Sequence, residues 1–248
     1  MTIESEHDIA ALRVVGHVVS LVLRRMLDAV EPGMTTAELD AFGAALLDEH
    51  GARSAPRLVY EFPGSTCISV NEQAAHGVPG DRVLEPGDVV NVDVSAEIDG
   101  YFADTGGTCV VPPSTPLKDH LCDATRLALS RAVKQARAGN RINRIGRAVQ
   151  SVARSHGFRI IRNLAGHGVG RGLHEEPESI LGYFEPRDPR VFTEGMVIAV
   201  EPFLSTRSTH AVEAEDGWTL VSGRGNLSAQ FEHTLIVTRG EPIIVTRH

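Results

Sequence analysis

The spacing of glycines and acids in this chain repeats. Gly33 and Gly51 stand eighteen residues apart, as do Gly139 and Gly157, and each pair brackets a helical segment. Further on, LEPGDVVNVD (Leu84–Asp93) parallels FTEGMVIAVE (Phe192–Glu201), each with a glycine ahead of a hydrophobic strand and an acid six residues later. The glycine anchors are offset by 106 residues and the strand anchors by 108. Offsets that constant point to an internal duplication, and stacked repeats share one core. The expectation is one α+β domain over residues 1–248, with an internal repeat spanning roughly 5–111 and 115–238. Helices lie outside a curved antiparallel sheet, and Asp93 and Glu201 meet near the shared axis.

The first half contains a hairpin. Val89–Ile98 is rich in β-branched residues, Asp99-Gly100 is a two-residue turn signal, and Tyr101–Val111 runs back. A two-residue loop sets Ile98 opposite Tyr101 and therefore Ser95 opposite Asp104. Asp93 shares a face with Ser95, so Asp93 and Asp104 are diagonal cross-strand neighbours, about 7–8 Å apart at Cα. Two carboxylates so placed in a half-buried sheet require a cation between them or exposure to water.

Other elements follow from periodicity. Ile9, Leu12, Val15, Val19, Val22, Leu23, Met26 and Val30 keep helical spacing behind Ser5, an N-cap. Thr35 with Glu38 forms a capping box for a helix ending at Gly51. An irregular region with Pro56 and Pro63 leads to a strand at Thr66–Asn71. Further helices run from Thr115-Pro116 to Gly139 and from about Asn143 to Gly157. Strands are expected at Phe158–Leu164, Thr193–Leu204 and Ala229–Thr238, with a hairpin turning at Asp216-Gly217.

Composition narrows the function classes. A net charge of −8 argues against a nucleic-acid partner. No apolar run reaches membrane-spanning length, and no signal-peptide pattern opens the chain. Three cysteines (Cys67, Cys109, Cys122) without C-x-x-C spacing suit a reduced, cytoplasmic protein.

Five residues stand out chemically: Asp93, Asp104, His167, Glu201 and Glu232. Glu201 and Glu232 are acids inside apolar strands. Any one of them alone is more often a solvated or hydrogen-bonded group. Together, four carboxylates and one imidazole suit two adjacent divalent ions; a structural zinc site would be dominated by Cys and His. His167 lies among Gly166, Gly168, Gly170 and Gly172, a spacing that implies close backbone approach rather than dinucleotide binding. His76 and His174, both in loop contexts, complete the polar set.

The stretches GSTCISVNEQAAHGVP, DVSAEIDGYFADT, GHGVGRGLHEEP, GMVIAVEP and SAQFEHTLIVT, in this order, resemble type I methionine aminopeptidases, in their short bacterial form, of the pita-bread metallopeptidase family. The resemblance covers nearly the whole chain. The large N-terminal domain of prolidases and the second-half insertion of type II enzymes have no counterpart in it.

The resemblance implies a pita-bread fold and removal of an initiator methionine ahead of a small second residue by a metal-activated water. Asp93 would chelate one ion, Asp104 and Glu232 would bridge both, and His167 and Glu201 would hold the other. The two ions would be Co, Mn, Fe or Zn. Glu201 would also handle the proton, His174 the oxyanion, and His76 the peptide nitrogen or leaving group. Phe62, Cys67 and Trp218 would line the methionine pocket. Leu173, Val59 and Pro56 depart from the family pattern there, so substrate preference is open. The implied partners are N-terminal peptides of nascent proteins, with transient ribosome contact, no membrane and a monomeric enzyme. Two alternatives stay open: cleavage beside proline, as in the related prolidases, and a non-catalytic pita-bread scaffold.

Overall fold

A computed structural model describes residues 1–247, which form five helices and fifteen strands. The first helix, α1 (Glu6–Ala29), opens on a capping box. Asp8 N–H donates to the Ser5 hydroxyl, and the Ser5 N–H donates to the Asp8 carboxylate at 2.9 Å. Thr35 and Glu38 cap α2 (Thr36–Glu49) in the same way. The proline-containing region expected to be irregular folds as a short helix, α3 (Ala55–Tyr60). Pro56 occupies its first turn, where a missing N–H costs nothing. The next helix, α4 (Pro116–Val133), stops before Gly139, which lies beyond it in a positive-φ turn. The last, α5 (Asn143–Ser155), agrees with its expected span.

The hairpin forms from Val89–Ile98 and Tyr101–Val110. Asp99 and Gly100 both adopt positive φ (51° and 80°), as a type I′ turn requires. The register sets Ile98 against Tyr101 and Ser95 against Asp104. Along the first strand the even positions Val90, Val92, Val94 and Ala96 face α1 and pack on Leu12, Val15, Val19 and Met26. Period two then turns Asp93 and Ser95 to the opposite face, and Asp104 joins them there. In the second half, Leu121, Leu129, Ile145 and Val149 of α4 and α5 pack under Ile198, Val200 and Leu235.

In the five-stranded sheet, Val197–Val200 pairs with His233–Ile236 on one side and Ala165–Gly168 on the other, and the latter pairs with Glu175–Leu181. All of these pairings are antiparallel. Two strands expected to be long are broken. Val197–Val200 and Phe203–Ser205 are separated at Glu201-Pro202, where proline has no N–H for a ladder. Ser228–Gln230 and His233–Ile236 are separated at Phe231-Glu232. There the Glu232 N–H leaves its own strand to donate to Gly106 O of the hairpin at 2.9 Å. The strand expected at Phe158–Leu164 shortens to Arg159–Ile160, and the Asp216-Gly217 hairpin joins Val212–Glu213 to Leu220–Val221.

Side chains stitch the halves together. The Thr234 hydroxyl donates to Asp104 O at 2.7 Å and accepts from Asp104 N–H at 2.9 Å. The Thr105 hydroxyl donates to Glu232 O at 2.9 Å. Backbone carrying two of the acids is thus tied directly across the two halves.

Candidate metal centre

Asp104, His167 and Glu232 are buried, and each offers a ligand atom within 4.8 Å of those of the other two. His167 Nε2 lies 3.6 Å from Glu201 Oε1 and 3.8 Å from Asp104 Oδ2. The Asp93 and Asp104 carboxyl groups lie close enough to shift each other's pKa. All five residues singled out in the sequence therefore converge. They come from the hairpin, the glycine loop and two strand breaks, and the breaks free Glu201 and Glu232 from the alternation of a regular strand.

The glycine loop brings His167 in by close packing on neighbouring backbone. A Cβ on Gly166 would lie 2.3 Å from Ala199 O, and one on Gly168 would lie 2.2 Å from Glu176 O. His167 Nδ1 is 2.9 Å from the Gly168 carbonyl. The proton therefore sits on Nδ1 and Nε2 faces the acids as a lone-pair donor.

Burial and mutual repulsion dominate the electrostatics. Desolvation raises Asp93 to about 6 from an ordinary 3.8. Asp104, Glu201 and Glu232 are pushed well above the usual carboxylate range, first by desolvation and then by one another's charge. Desolvation, with the neighbouring His174, lowers His167 to about 4, so its imidazole is neutral and able to ligate. Asp104 Oδ1 and Glu232 Oε1 are buried with no hydrogen-bond partner. Native interiors rarely leave such atoms orphaned. Oxygen donors in this number, with one imidazole, fit divalent Mn, Fe, Co or Zn, whose charge would offset the repulsion.

Two supporting residues were not found in the sequence. Gln230 Nε2 donates to Glu232 at 2.9 Å and lies 3.4 Å from Asp93 Oδ2. Asn91 Nδ2 in turn donates to Gln230 Oε1 at 2.9 Å. Gly106 makes room for this amide, since a Cβ there would lie 2.2 Å from Gln230 Oε1. The signal was a buried amide two residues before an acid, which resembles any polar strand residue.

A cavity of about 260 Å³ opens over these groups. Phe62, Cys67 and Trp218 line it, with His76 and His174. Phe62 and Trp218 meet edge to face, 5.3 Å between centroids. Leu173 and Pro56 also line the cavity, whereas Val59 is 42% exposed and Tyr60, the next residue, takes its place in the wall. His76 keeps an exposed edge at positive φ (54°), and packing around its ring lowers its pKa. His174 packs against His167, 4.1 Å between ring centroids with the planes tilted by 47°. A larger cleft, about 540 Å³, lies between α4 and the C-terminal segment and contains none of the five residues.

The sequence profile of metallopeptidase family M24 matches residues 10–239. Methionine aminopeptidase 2 of Bacillus subtilis is 46% identical over 248 residues, covering all of both chains. The solved methionine aminopeptidase of Thermotoga maritima superposes with a TM-score of 0.95 at 33% identity, again covering all of both chains. A prolidase from Pyrococcus furiosus shares the fold, with a TM-score of 0.80 at 22% identity; the match covers this whole chain and 66% of the prolidase. The architecture is thus the pita-bread fold expected from the sequence.

Proposed function

The chain belongs to metallopeptidase family M24, and we propose for it the reaction of a methionine aminopeptidase, hydrolysis of the bond after an N-terminal methionine when the second residue is small. It is a metal-dependent hydrolase of the exopeptidase class. The observation that carries the reading is the pair of orphaned oxygens, Asp104 Oδ1 and Glu232 Oε1, beneath a cavity walled by Phe62 and Trp218. Cleavage beside proline is the weaker reading, because methionine aminopeptidases match at 46% and 33% identity over their full length.

We assign Asp93, Asp104, His167, Glu201 and Glu232 as the residues that hold two divalent ions. Bound there, the ions supply Lewis-acid activation of a water and of the scissile carbonyl. The chain's own groups do the rest. Glu201 takes the proton of the attacking water and returns it to the leaving amine, the task of a carboxylate placed beside the metal-held water. His174 donates a hydrogen bond to the oxyanion that develops on the carbonyl. His76 stands by the peptide nitrogen. Phe62, Cys67 and Trp218 hold the methionine side chain, whose thioether packs well on aromatic rings. A cavity of about 260 Å³, floored by the acids, takes one side chain and fixes the chain end there. The reading extends to nascent chains met at the ribosome by a monomeric cytoplasmic enzyme. No helix among the described residues is long and apolar enough to cross a membrane.

A panel of Met-Ala-Ser, Met-Leu-Ser and Ala-Pro-Ser peptides tests the reading with Mn-loaded protein. Release of methionine from Met-Ala-Ser well above both others is expected. Preferred cleavage of Ala-Pro-Ser would overturn it.

A further inference from the structure

We propose that Tyr60 is a positioning residue that fixes His174 in the tautomer carrying its proton on Nε2; this rests on the oxyanion role given to His174 above. Tyr60 Oη lies 2.6 Å from His174 Nδ1, and the two rings are tilted by 50° with centroids 5.5 Å apart. The contact joins the last residue of α3 to the end of the glycine loop, so it spans the mouth of the cavity. The imidazole is gripped from two sides, packed against buried His167 and hydrogen-bonded to Tyr60.

A neutral imidazole has one N–H and one acceptor nitrogen. The Tyr60 phenol, 2.6 Å from Nδ1, carries its proton at neutral pH and is placed to donate it there. Donation to Nδ1 makes that nitrogen the acceptor and places the hydrogen on Nε2, the ring edge turned away from Tyr60. An oxyanion needs a donor on that edge. Both residues are exposed at the rim. Without the hydroxyl, water would take its place at Nδ1, and neither tautomer would be held. Tyr60 thus acts through His174 and leaves the acids untouched.

Tyr60→Phe keeps the aromatic wall and removes only the hydroxyl. Nitrogen-15 NMR of the histidine side chains, on the metal-free and the zinc-loaded protein, should show wild-type His174 as a single Nε2–H tautomer and the variant as a mixture. On Met-Ala-Ser, kcat should fall roughly tenfold while KM changes by less than about twofold. Adding Tyr60→Phe to His174→Ala should cost nothing further, because the two residues act as a unit. A wild-type His174 protonated on Nδ1, an unchanged kcat in Tyr60→Phe, or a full additional loss in the His174→Ala background would each overturn the inference. Absence of methionine release by the wild type would instead refute the proposed reaction, and the NMR result would still decide the tautomer.

Discussion

Glu232 turns one carboxylate oxygen to Gln230 Nε2 at 2.9 Å and leaves the other, Oε1, buried without a partner. Repulsion from Glu201 and Asp93 adds to the cost of its burial. Glu232→Gln should therefore separate binding from folding. Metal affinity and methionine release should fall by more than the roughly 10–100-fold typical of losing an outer-shell partner. The melting temperature of the metal-free protein should hold or rise, because one buried charge is gone. Elemental analysis together with calorimetry in chelator checks both; a lower metal-free melting temperature would show that Glu232 serves the fold itself.

Gln230 depends on Gly106 having no side chain. Gly106→Ala should push the amide away from Glu232 and Asp93, lowering Mn affinity roughly 10–100-fold. The clash with a packed neighbour should cost about 1–3 kcal/mol of stability. Gln230→Ala should reproduce the affinity loss without the clash. Titration calorimetry on both variants decides, and affinities within about twofold of wild type would count against the supporting role.

The pH dependence has opposite signs with and without metal. Asp93, raised from 3.8 to about 6, keeps a proton that the unfolded chain has lost, so its contribution falls as pH rises through that interval. Asp104, Glu201 and Glu232, pushed well above the usual carboxylate range, act in the same direction. His167, lowered from 6.5 to about 4, opposes this only below 6.5, where the unfolded state binds the extra proton. Above pH 6.5, where His167 no longer opposes it, the raised carboxyls should make the metal-free melting temperature fall with rising pH, while Mn binding, which needs deprotonated ligands, strengthens. Melting curves should show the gap between loaded and metal-free protein widening with pH; a constant gap would contradict the coupling.

Trp218 meets Phe62 edge to face in the cavity wall. Trp218→Ala should raise KM for Met-Ala-Ser roughly tenfold, the loss expected for removing aromatic contact with the side chain. Metal content should not change. Steady-state kinetics with elemental analysis checks this, and a fall confined to kcat would assign Trp218 a different task.

Much of this was readable in the sequence, for physical reasons particular to each residue. The Asp99-Gly100 turn has few ways to close, so the Ser95–Asp104 register followed from it. The N-cap at Ser5 and the capping box at Thr35 are local and showed plainly. The break at Phe231-Glu232 did not, because it depends on backbone pairing with a distant hairpin, and the one at Glu201-Pro202 was read through as part of a longer strand although Pro202 marks it. Gln230, Asn91 and Tyr60 were missed for a related reason. Each acts through one long-range contact, and nothing in its neighbours marks it.

The most direct measurement is methionine release from Met-Ala-Ser by protein stripped with chelator and then given Mn, Fe, Co or Zn in turn. No release after stripping, and recovery with at least one of these ions, is the predicted result. Release undiminished by the chelator, or none with any of the four, would contradict a metal-dependent aminopeptidase built on Asp93, Asp104, His167, Glu201 and Glu232.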